Sequence, residues 1–161
     1  MAKLHWALLA AALLLAPISA RADLVFEGSA GSGITLSPHS GDRIPTNLML
    51  AGGYRFSIVR LELGVVGNLA DVKHSKFDVD LRPMLMVKPP LLPVYARAIA
   101  GVSGLVEGPS SFTYGGALGV RLGALGVGAF VEAGALARRM KVDAKDKDVW
   151  FAEGRLGIYW D

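Results

Sequence analysis

Apolar and polar positions alternate with a period of two along most of the chain after residue 22. From Val59 to Leu69 the odd positions are valine, leucine or glycine, while the even positions include Arg60 and Glu62. From Phe77 to Val87 the odd positions are again apolar, and the even positions include two aspartates and Arg82. A helical period of 3.6 would mix these two sets, whereas a strand places them on opposite faces. The pattern therefore predicts β-strands.

The same alternation occurs in six further segments, so eight strands are expected. The predicted strands are Leu24–Leu36, Thr46–Phe56, Val59–Leu69, Phe77–Val87, Pro93–Ser103, Tyr114–Leu122, Val127–Ala137 and Val149–Trp160. Three predicted connections are short: Ser57–Ile58, Lys88–Leu92 and Gly123–Gly126. Four are longer and more polar: Ser37–Pro45, Ala70–Lys76, Val106–Phe112 and Arg138–Asp148. Alternating short turns and long loops are typical of membrane β-barrels. The fold class we predict is all-β: an eight-stranded antiparallel up-and-down transmembrane β-barrel.

The polar face of the predicted strands carries twelve charged residues and no lysine. The acids are Glu27, Glu62, Asp78, Asp80, Glu132 and Glu153, and the arginines are Arg55, Arg60, Arg82, Arg97, Arg121 and Arg155. A sheet surface in water would use lysine freely, and the lysines beyond residue 22 all fall in predicted connections. A narrow lumen requires each charge to be matched, and the planar guanidinium pairs bidentately with carboxylates. We therefore expect these twelve side chains to line the lumen, with the aliphatic face in lipid.

Two alternatives concern this inside-out assignment and the state of the lumen. A soluble, lipocalin-like carrier of an apolar ligand would instead turn its aliphatic face inward, but the G-x-W signature of lipocalins is missing near the expected mature start.

The charged lumen is either a salt-bridged plug or a narrow, low-conductance ion path. Eight strands leave room only for side chains, which favours the plug. Arg121 and Arg155, on the flanking strands, are the first candidates for the partner of Glu132.

The N-terminal residues predict export. Lys3 provides a positive start, and Trp6–Leu15 is an apolar run without a charge. Pro17 ends this run, and Ala20-Arg21-Ala22 places small residues at the two positions that a signal peptidase reads. The run is shorter than the roughly 20 residues of a membrane-spanning helix. We predict a signal peptide over 1–22, cleaved after Ala22, and a barrel domain over 23–161.

Composition adds mainly exclusions. The chain has 17 Lys+Arg against 14 Asp+Glu, but removal of Lys3 and Arg21 leaves 15 against 14. A nearly neutral domain gives no electrostatic reason to expect nucleic acid as a partner. Cysteine is absent, which excludes disulfides and thiolate metal sites. No cofactor is expected.

Two other features suggest chemistry at first sight. His39-Ser40 and His74-Ser75 could belong to a membrane-embedded lipid-modifying enzyme, but adjacent residues in a strand point to opposite faces, and both pairs lie in predicted loops. Asp143, Asp146 and Asp148 alternate with lysines and lack the central glycine of a calcium loop. We interpret all of these as solvated loop residues and expect neither a metal site nor an enzyme.

Two features of the predicted strands concern the backbone. The segment Gly28–Gly33 is glycine-rich but precedes no helix, so it is not a phosphate-binding loop. Pro83 removes a hydrogen-bond donor from the middle of the fourth strand, and a bulge or an early strand end is expected there.

Three stretches resemble a known family: PVYARAIAG at Pro93–Gly101, VGAFVEAG at Val127–Gly134 and VWFAEGRLGIYW at Val149–Trp160. They are similar to small bacterial outer-membrane barrels of the OmpA transmembrane-domain and OmpX type, and the resemblance covers essentially all of 23–161. It implies residence in outer-membrane lipid and a structural or interaction role without catalysis, with outer loops that meet the environment or a partner. It also implies that the barrel assembly machinery recognises the last strand by a final aromatic residue. Trp160 nearly holds that place, and Asp161 follows it.

Overall fold

The strands predicted from the sequence form one closed barrel. The computed structural model describes residues 22–37, 41–69, 77–106, 110–142 and 145–161. The strands are β1 (Asp23–Ser37), β2 (Arg43–Phe56), β3 (Val59–Leu69), β4 (Phe77–Val87), β5 (Val94–Ser103), β6 (Ser111–Ala124), β7 (Val127–Val142) and β8 (Lys145–Trp160). Each pairs antiparallel with the next, and β8 closes on β1. The predicted eight-stranded antiparallel up-and-down barrel is confirmed. Within the described ranges, no helix has the length and apolar character needed to span a membrane.

The strand register fixes the width of the barrel. Successive partners around the sheet are Val25, Gly53, Glu62, Met84, Ile99, Gly115, Leu136, Phe151 and Thr35. One circuit from Val25 thus returns to β1 at Thr35, ten residues further along the same strand. Strands must tilt strongly to allow this stagger, and eight tilted strands enclose a lumen only wide enough for side chains.

The strands alternate between a buried inner face, which carries most of their charged residues, and an outer face that is mainly aliphatic. On β3, Leu61 and Leu63 are 54% and 50% exposed, whereas Arg60 and Glu62 are 3% and 5% exposed. Leucine is normally buried in a protein in water and arginine is normally exposed. The alternation of β3 is therefore inside out with respect to a soluble barrel.

The two ends of the barrel differ in their connections. The turn end holds Ser57-Ile58, residues 88–93 and the Leu125-Gly126 turn, together with the start of β1 and the end of β8. Leu125 and Gly126 have φ values of 54° and 82°, the pair of positive angles that a type I′ hairpin turn requires. The loop end holds the connections at 38–42, 70–76, 104–110 and 143–144.

One predicted loop is wrong. The segment Arg138–Asp148 is a hairpin, because β7 runs to Val142 and β8 begins at Lys145. Arg139 lies opposite Asp148 and donates from Nε to its carboxylate at 3.1 Å. The charges at the described ends of this segment therefore lie on paired strands and not in a loop.

Two other predicted boundaries move by three residues each. The loop predicted at Ser37–Pro45 is shorter, since β2 begins at Arg43 and contains Pro45. Strand β6 begins at Ser111, three residues before the predicted start.

Pro83 is accommodated without a bulge or an early strand end, so both expected solutions are wrong. Pro83 pairs in register with Leu63 on β3. Towards β5, the pairs Leu81–Val102 and Met84–Ile99 keep the same register, and pairing is interrupted only between them. A Cβ atom on Gly101 would lie 2.5 Å from the carbonyl oxygen of Leu81, so the missing side chain lets the two backbones approach closely there.

Some predictions fall outside the described residues. These are the signal peptide up to residue 21, the loop residues His39, Ser40, His74 and Ser75, and Asp143.

Candidate functional site

Charged side chains fill the described lumen in three groups. The mouth cluster, at the turn end, comprises Asp23, Arg55, Arg60 and Asp161. The turn-side cluster comprises Glu27, Glu62, Arg97, Arg121 and Glu132. The loop-side cluster comprises Asp80, Arg82, Arg138, Glu153 and Arg155. Together they contain seven acids and seven arginines, so the formal charges of the three clusters balance.

Arg97 is the centre of the turn-side cluster. Its Nη2 atom lies 2.8 Å from Glu27 Oε1 and 3.3 Å from Glu62 Oε2, and its Nη1 atom lies 3.2 Å from Glu132 Oε2. Arg121 also contacts Glu27 and lies 3.9 Å from Glu62. All five side chains are almost completely buried. One guanidinium therefore holds three carboxylates together at the middle of the barrel.

Three aromatic rings cover the arginines of this cluster on the turn side. They are Tyr95, Phe130 and Tyr159. The guanidinium of Arg121 lies 4.4 Å from the ring centre of Tyr159, and that of Arg97 lies 5.5 Å from the ring centre of Tyr95. Both distances are within the range of cation–π attraction. The Tyr95 hydroxyl donates to Glu132 Oε2 at 2.9 Å. The rings thus combine apolar packing with polar contacts to the buried charges.

Glycines make room for these rings. Gly119 lies opposite Tyr95 in the register, and a Cβ atom there would be 2.3 Å from the ring. Gly157 lies opposite Phe130, and a Cβ atom there would be 2.6 Å from its ring. Gly119 and Gly157 therefore leave the space that the Tyr95 and Phe130 rings occupy.

Asp161 binds the arginines of the turn-end mouth. Arg60 donates to both carboxylate oxygens of Asp161, at 2.8 and 2.6 Å, in a bidentate pair. Arg55 donates to Asp161 at 3.2 Å and to Asp23 at 2.6 Å. Arg121 Nη1 lies 3.7 Å from Asp161 Oδ1, which connects the mouth cluster to the turn-side cluster.

The loop-side cluster is built around Arg82. Its two Nη atoms contact Glu153 at 3.2 Å and Asp80 at 3.1 Å. Arg155 contacts Glu153 and donates to the side-chain oxygen of Asn47 at 2.6 Å. This cluster therefore uses a neutral amide where the turn-side cluster uses a third carboxylate.

An apolar layer of buried side chains packs beside the turn-side and loop-side clusters. Its largest members are Met49, Val66, Met84, Ile99, Leu136 and Phe151. The cavity beside Met84, between Arg97 and Arg82, has a volume of only about 10 Å³. Such a volume holds about one water molecule.

The placement of the twelve charged residues singled out in the sequence is mostly interior. Ten of them are at most 6% exposed: Glu27, Arg60, Glu62, Asp80, Arg82, Arg97, Arg121, Glu132, Glu153 and Arg155. The other two lie near the ends of the barrel. Arg55 belongs to the partly exposed mouth cluster, and Asp78 accepts from the amide of Val79 at 2.8 Å. The candidates for the partner of Glu132 were wrong, since Arg97 contacts it and Arg121 and Arg155 bind other acids.

Sequence reasoning missed Asp161 and Arg138 as members of the lumen. Arg138 contacts Asp80 at 3.4 Å. Both residues have the same parity as the inward residues of their strands, Glu132 on β7 and Glu153 on β8. Both lie just beyond the ends of the predicted strands, at Ala137 and Trp160, and continuing the alternation past these ends identifies them.

Hydrogen bonding in the network is less complete than its charge pairing. Arg97 and Arg121 each have an Nε and an Nη1 atom that are buried without a hydrogen-bond partner among the described residues. Arg97 Nη1 lies close to Glu132, so this pair is electrostatic without a well-directed hydrogen bond. Among the described residues there is also no group of three or more histidine, aspartate or glutamate side chains placed to hold a metal ion.

The chain forms a closed eight-stranded barrel with a charged interior and an aliphatic exterior. This arrangement is the inverse of a soluble β-barrel. Two solved structures share the fold. Neisserial surface protein A is 16% identical, with a TM-score of 0.60 over 86% of this chain and 97% of that chain. The N-terminal β-barrel domain of Pseudomonas aeruginosa OprF is 13% identical, with a TM-score of 0.51 over 87% of this chain and 100% of that chain. No protein-family model and no curated protein matches the sequence. The resemblance to small outer-membrane barrels is confirmed as a likeness of fold.

Proposed function

We propose that this chain is an integral outer-membrane β-barrel with a structural or interaction role, and that its arginine–acid network closes the lumen. The observation that carries the proposal is the inversion of the two faces. Aliphatic side chains are exposed around the whole outer surface, whereas ten charged side chains from the sequence pattern are buried inside.

The outer surface suits lipid and does not suit water. Leu50, Leu118 and Leu156 are 73%, 70% and 66% exposed on β2, β6 and β8. Soluble monomers rarely expose contiguous apolar patches of more than a few hundred Å². A bilayer removes this cost, and a closed barrel satisfies its backbone hydrogen bonds without water. The cavity beside Met84 in the described lumen, of about 10 Å³, is also too small for the apolar ligand of a soluble carrier.

The interior favours a plug over a pore. Each carboxylate of the turn-side cluster lies near a guanidinium, and the apolar layer and the aromatic rings fill the space on either side of it. An ion crossing the lumen would have to separate several buried pairs, and separation of such a pair is costly. We therefore propose a role that involves neither transport nor catalysis.

Planar bilayer recordings test the plug. Purified folded protein inserted into a bilayer should give no steady current at ordinary ionic strength. Steady, ion-selective channels from the wild-type protein would contradict the plug and support the narrow pore. The incomplete hydrogen bonding of Arg97 and Arg121 is the feature that such a pore would exploit.

A substitution on the outer face tests residence in the membrane. Leu63 lies opposite Pro83 near the middle of β3 and β4. Leu63→Arg should lower the free energy of unfolding in bilayers by about 2–4 kcal/mol, as expected for a cation at the bilayer midplane. The matched control is Leu91→Arg, since Leu91 is fully exposed in a connection at the turn end and should tolerate the charge. Equal stability of the two variants would argue against a lipid-facing β3.

Export and assembly are part of the same proposal. We propose cleavage after Ala22, which predicts that the mass of the exported protein corresponds to a start at Asp23. We also propose that the assembly machinery recognises β8 through Trp160, whose side chain is 44% exposed at the turn end. Trp160→Ala should reduce the fraction of exported protein that reaches the folded, heat-modifiable form on gels. An unchanged fraction would argue against that role.

A further inference from the structure

The turn-end mouth contains three arginines that converge on a single carboxylate. Arg60 binds both oxygens of Asp161, Arg55 binds one of them, and Arg121 approaches to 3.7 Å. These arginines come from β2, β3 and β6, so three separate strands build the site. A planar guanidinium binds carboxylates in this bidentate fashion better than other cations do.

The arginines of this site are buried and incompletely hydrogen-bonded. Arg60 and Arg121 are each 3% exposed. Arg121 Nε and Nη1 and Arg60 Nε have no hydrogen-bond partner among the described residues, although all three atoms are buried. Tyr159 supports the site from inside, because its ring centre lies 4.4 Å from the Arg121 guanidinium and 6.0 Å from that of Arg60. Unused donors on buried arginines mark a place with more affinity for an anion than its present contacts use.

We propose that Arg55, Arg60 and Arg121 form a carboxylate-binding cradle at the turn-end mouth, and that the side chain of Asp161 occupies it as a built-in ligand. The Asp161 amide donates to Gly126 at 2.7 Å, which fixes the backbone beside the cradle. The occupied cradle joins the end of β8 to β2 and β3, across the β1–β8 seam that closes the barrel. The cradle depends on the register of the barrel, and it does not require the lumen to be closed to ions.

Two consequences follow from an occupied cradle. Loss of the Asp161 carboxylate takes the bidentate partner from the buried Arg60, so the barrel should open more readily at its closing seam. Arg55 keeps Asp23 and Arg121 keeps Glu27. The vacated space should then accept a small carboxylate from solution. Formate is the probe that matches the lost group in size and charge, and chloride is the control for ionic strength.

The experiment measures unfolding rates of the folded barrel in detergent at a fixed urea concentration, by gel mobility. Asp161→Ala should unfold about tenfold or more faster than wild type, because the buried Arg60 loses its carboxylate partner. Sodium formate should restore most of this loss, and sodium chloride at equal ionic strength should restore little. Asp23→Ala is the matched control, because Asp23 contacts Arg55 but is half exposed and should change the rate less than twofold.

Asp161→Asn separates binding from a general salt effect. Its amide fills the cradle without charge, so it should unfold faster than wild type and respond little to formate. Three outcomes would contradict the cradle. Formate and chloride could slow the unfolding of Asp161→Ala equally, or formate could slow Asp161→Asn as much as Asp161→Ala. Asp161→Ala could also unfold at the wild-type rate. If Asp161→Ala does not fold alone, the folding yield in formate against chloride gives the same test: recovery in formate alone supports the cradle, and no recovery overturns it.

Discussion

The two halves of the lumen contain the same kinds of charge but hold them differently. In the turn half, Arg97 contacts three carboxylates and is covered by aromatic rings. In the loop half, Arg82 contacts two carboxylates, and Arg138 is 28% exposed in its side chain. Two of the three connections of the first half are two-residue turns, whereas two of the four connections of the second half are seven residues long.

The difference in burial between Arg97 and Arg138 predicts how much each contributes to the stability of the barrel. A desolvated ion pair loses more when one partner is removed than a pair that water can reach. The turn half also brings together the ends of β1 and β8, at the seam that makes the barrel closed. We infer that Arg97, at the centre of the turn-side cluster, contributes more stability than the partly exposed Arg138 of the loop half.

The largest expected effect distinguishes the two halves directly. Arg97→Met should lower the free energy of unfolding by about 3–5 kcal/mol, because Glu27, Glu62 and Glu132 lose their common partner. The matched variant Arg138→Met should cost at most about 1 kcal/mol, since Asp80 keeps Arg82 and water reaches Arg138. Urea unfolding in lipid bilayers measures both values. Similar losses in the two variants would contradict the inferred difference between the halves.

Glycine substitutions compare how tightly the two halves are packed. Gly119→Ala should cost about 1–3 kcal/mol, because its methyl group would overlap the Tyr95 ring and force the ring off Glu132. At Gly31, in the loop half, the nearest atoms to a new methyl group are the flexible ends of Glu153 and Arg155, at 3.0 and 3.1 Å. Gly31→Ala should therefore cost less than about 1 kcal/mol. The same unfolding assay measures both variants. A larger loss for Gly31→Ala than for Gly119→Ala would mean that the Tyr95 ring can move to make room for the methyl group.

The smallest expected effect concerns a single hydroxyl group. Tyr95→Phe removes the hydrogen bond to Glu132, and a loss of about 1 kcal/mol is expected because Glu132 keeps Arg97. Tyr114→Phe is the control, since its hydroxyl donates to Asp148 on the outer surface, where Arg139 also binds that carboxylate. It should have no measurable effect on unfolding. A larger loss for Tyr114→Phe than for Tyr95→Phe would contradict the expectation that the buried hydroxyl contributes more to stability than the hydroxyl on the outer surface.

The sequence was sufficient for the strands and their faces because alternation is a local property. Arg60, Glu62 and Leu63 could be assigned to sides from β3 alone, and the structure places them on those sides. Partners inside the lumen could not be assigned, because they depend on the ten-residue stagger and on contacts across the barrel. Glu132 on β7 contacts Arg97 on β5, although β6 lies between them. Hydrogen bonding around Pro83 was equally inaccessible, since it depends on the approach of Gly101 from another strand.

The β7–β8 hairpin extends further than the strands beside it. The last pair of β7 with β6 is Arg139–Phe112, and the last pair of β8 with β1 is Trp150–Ser37, but β7 and β8 pair as far as Val142 and Lys145. An isolated two-stranded ribbon is only marginally stable in water. Its amide protons should exchange with deuterium through local fraying, well before those of the closed barrel. The hairpin is accordingly the natural position for an inserted epitope or affinity tag, because the barrel's closing hydrogen bonds do not depend on it.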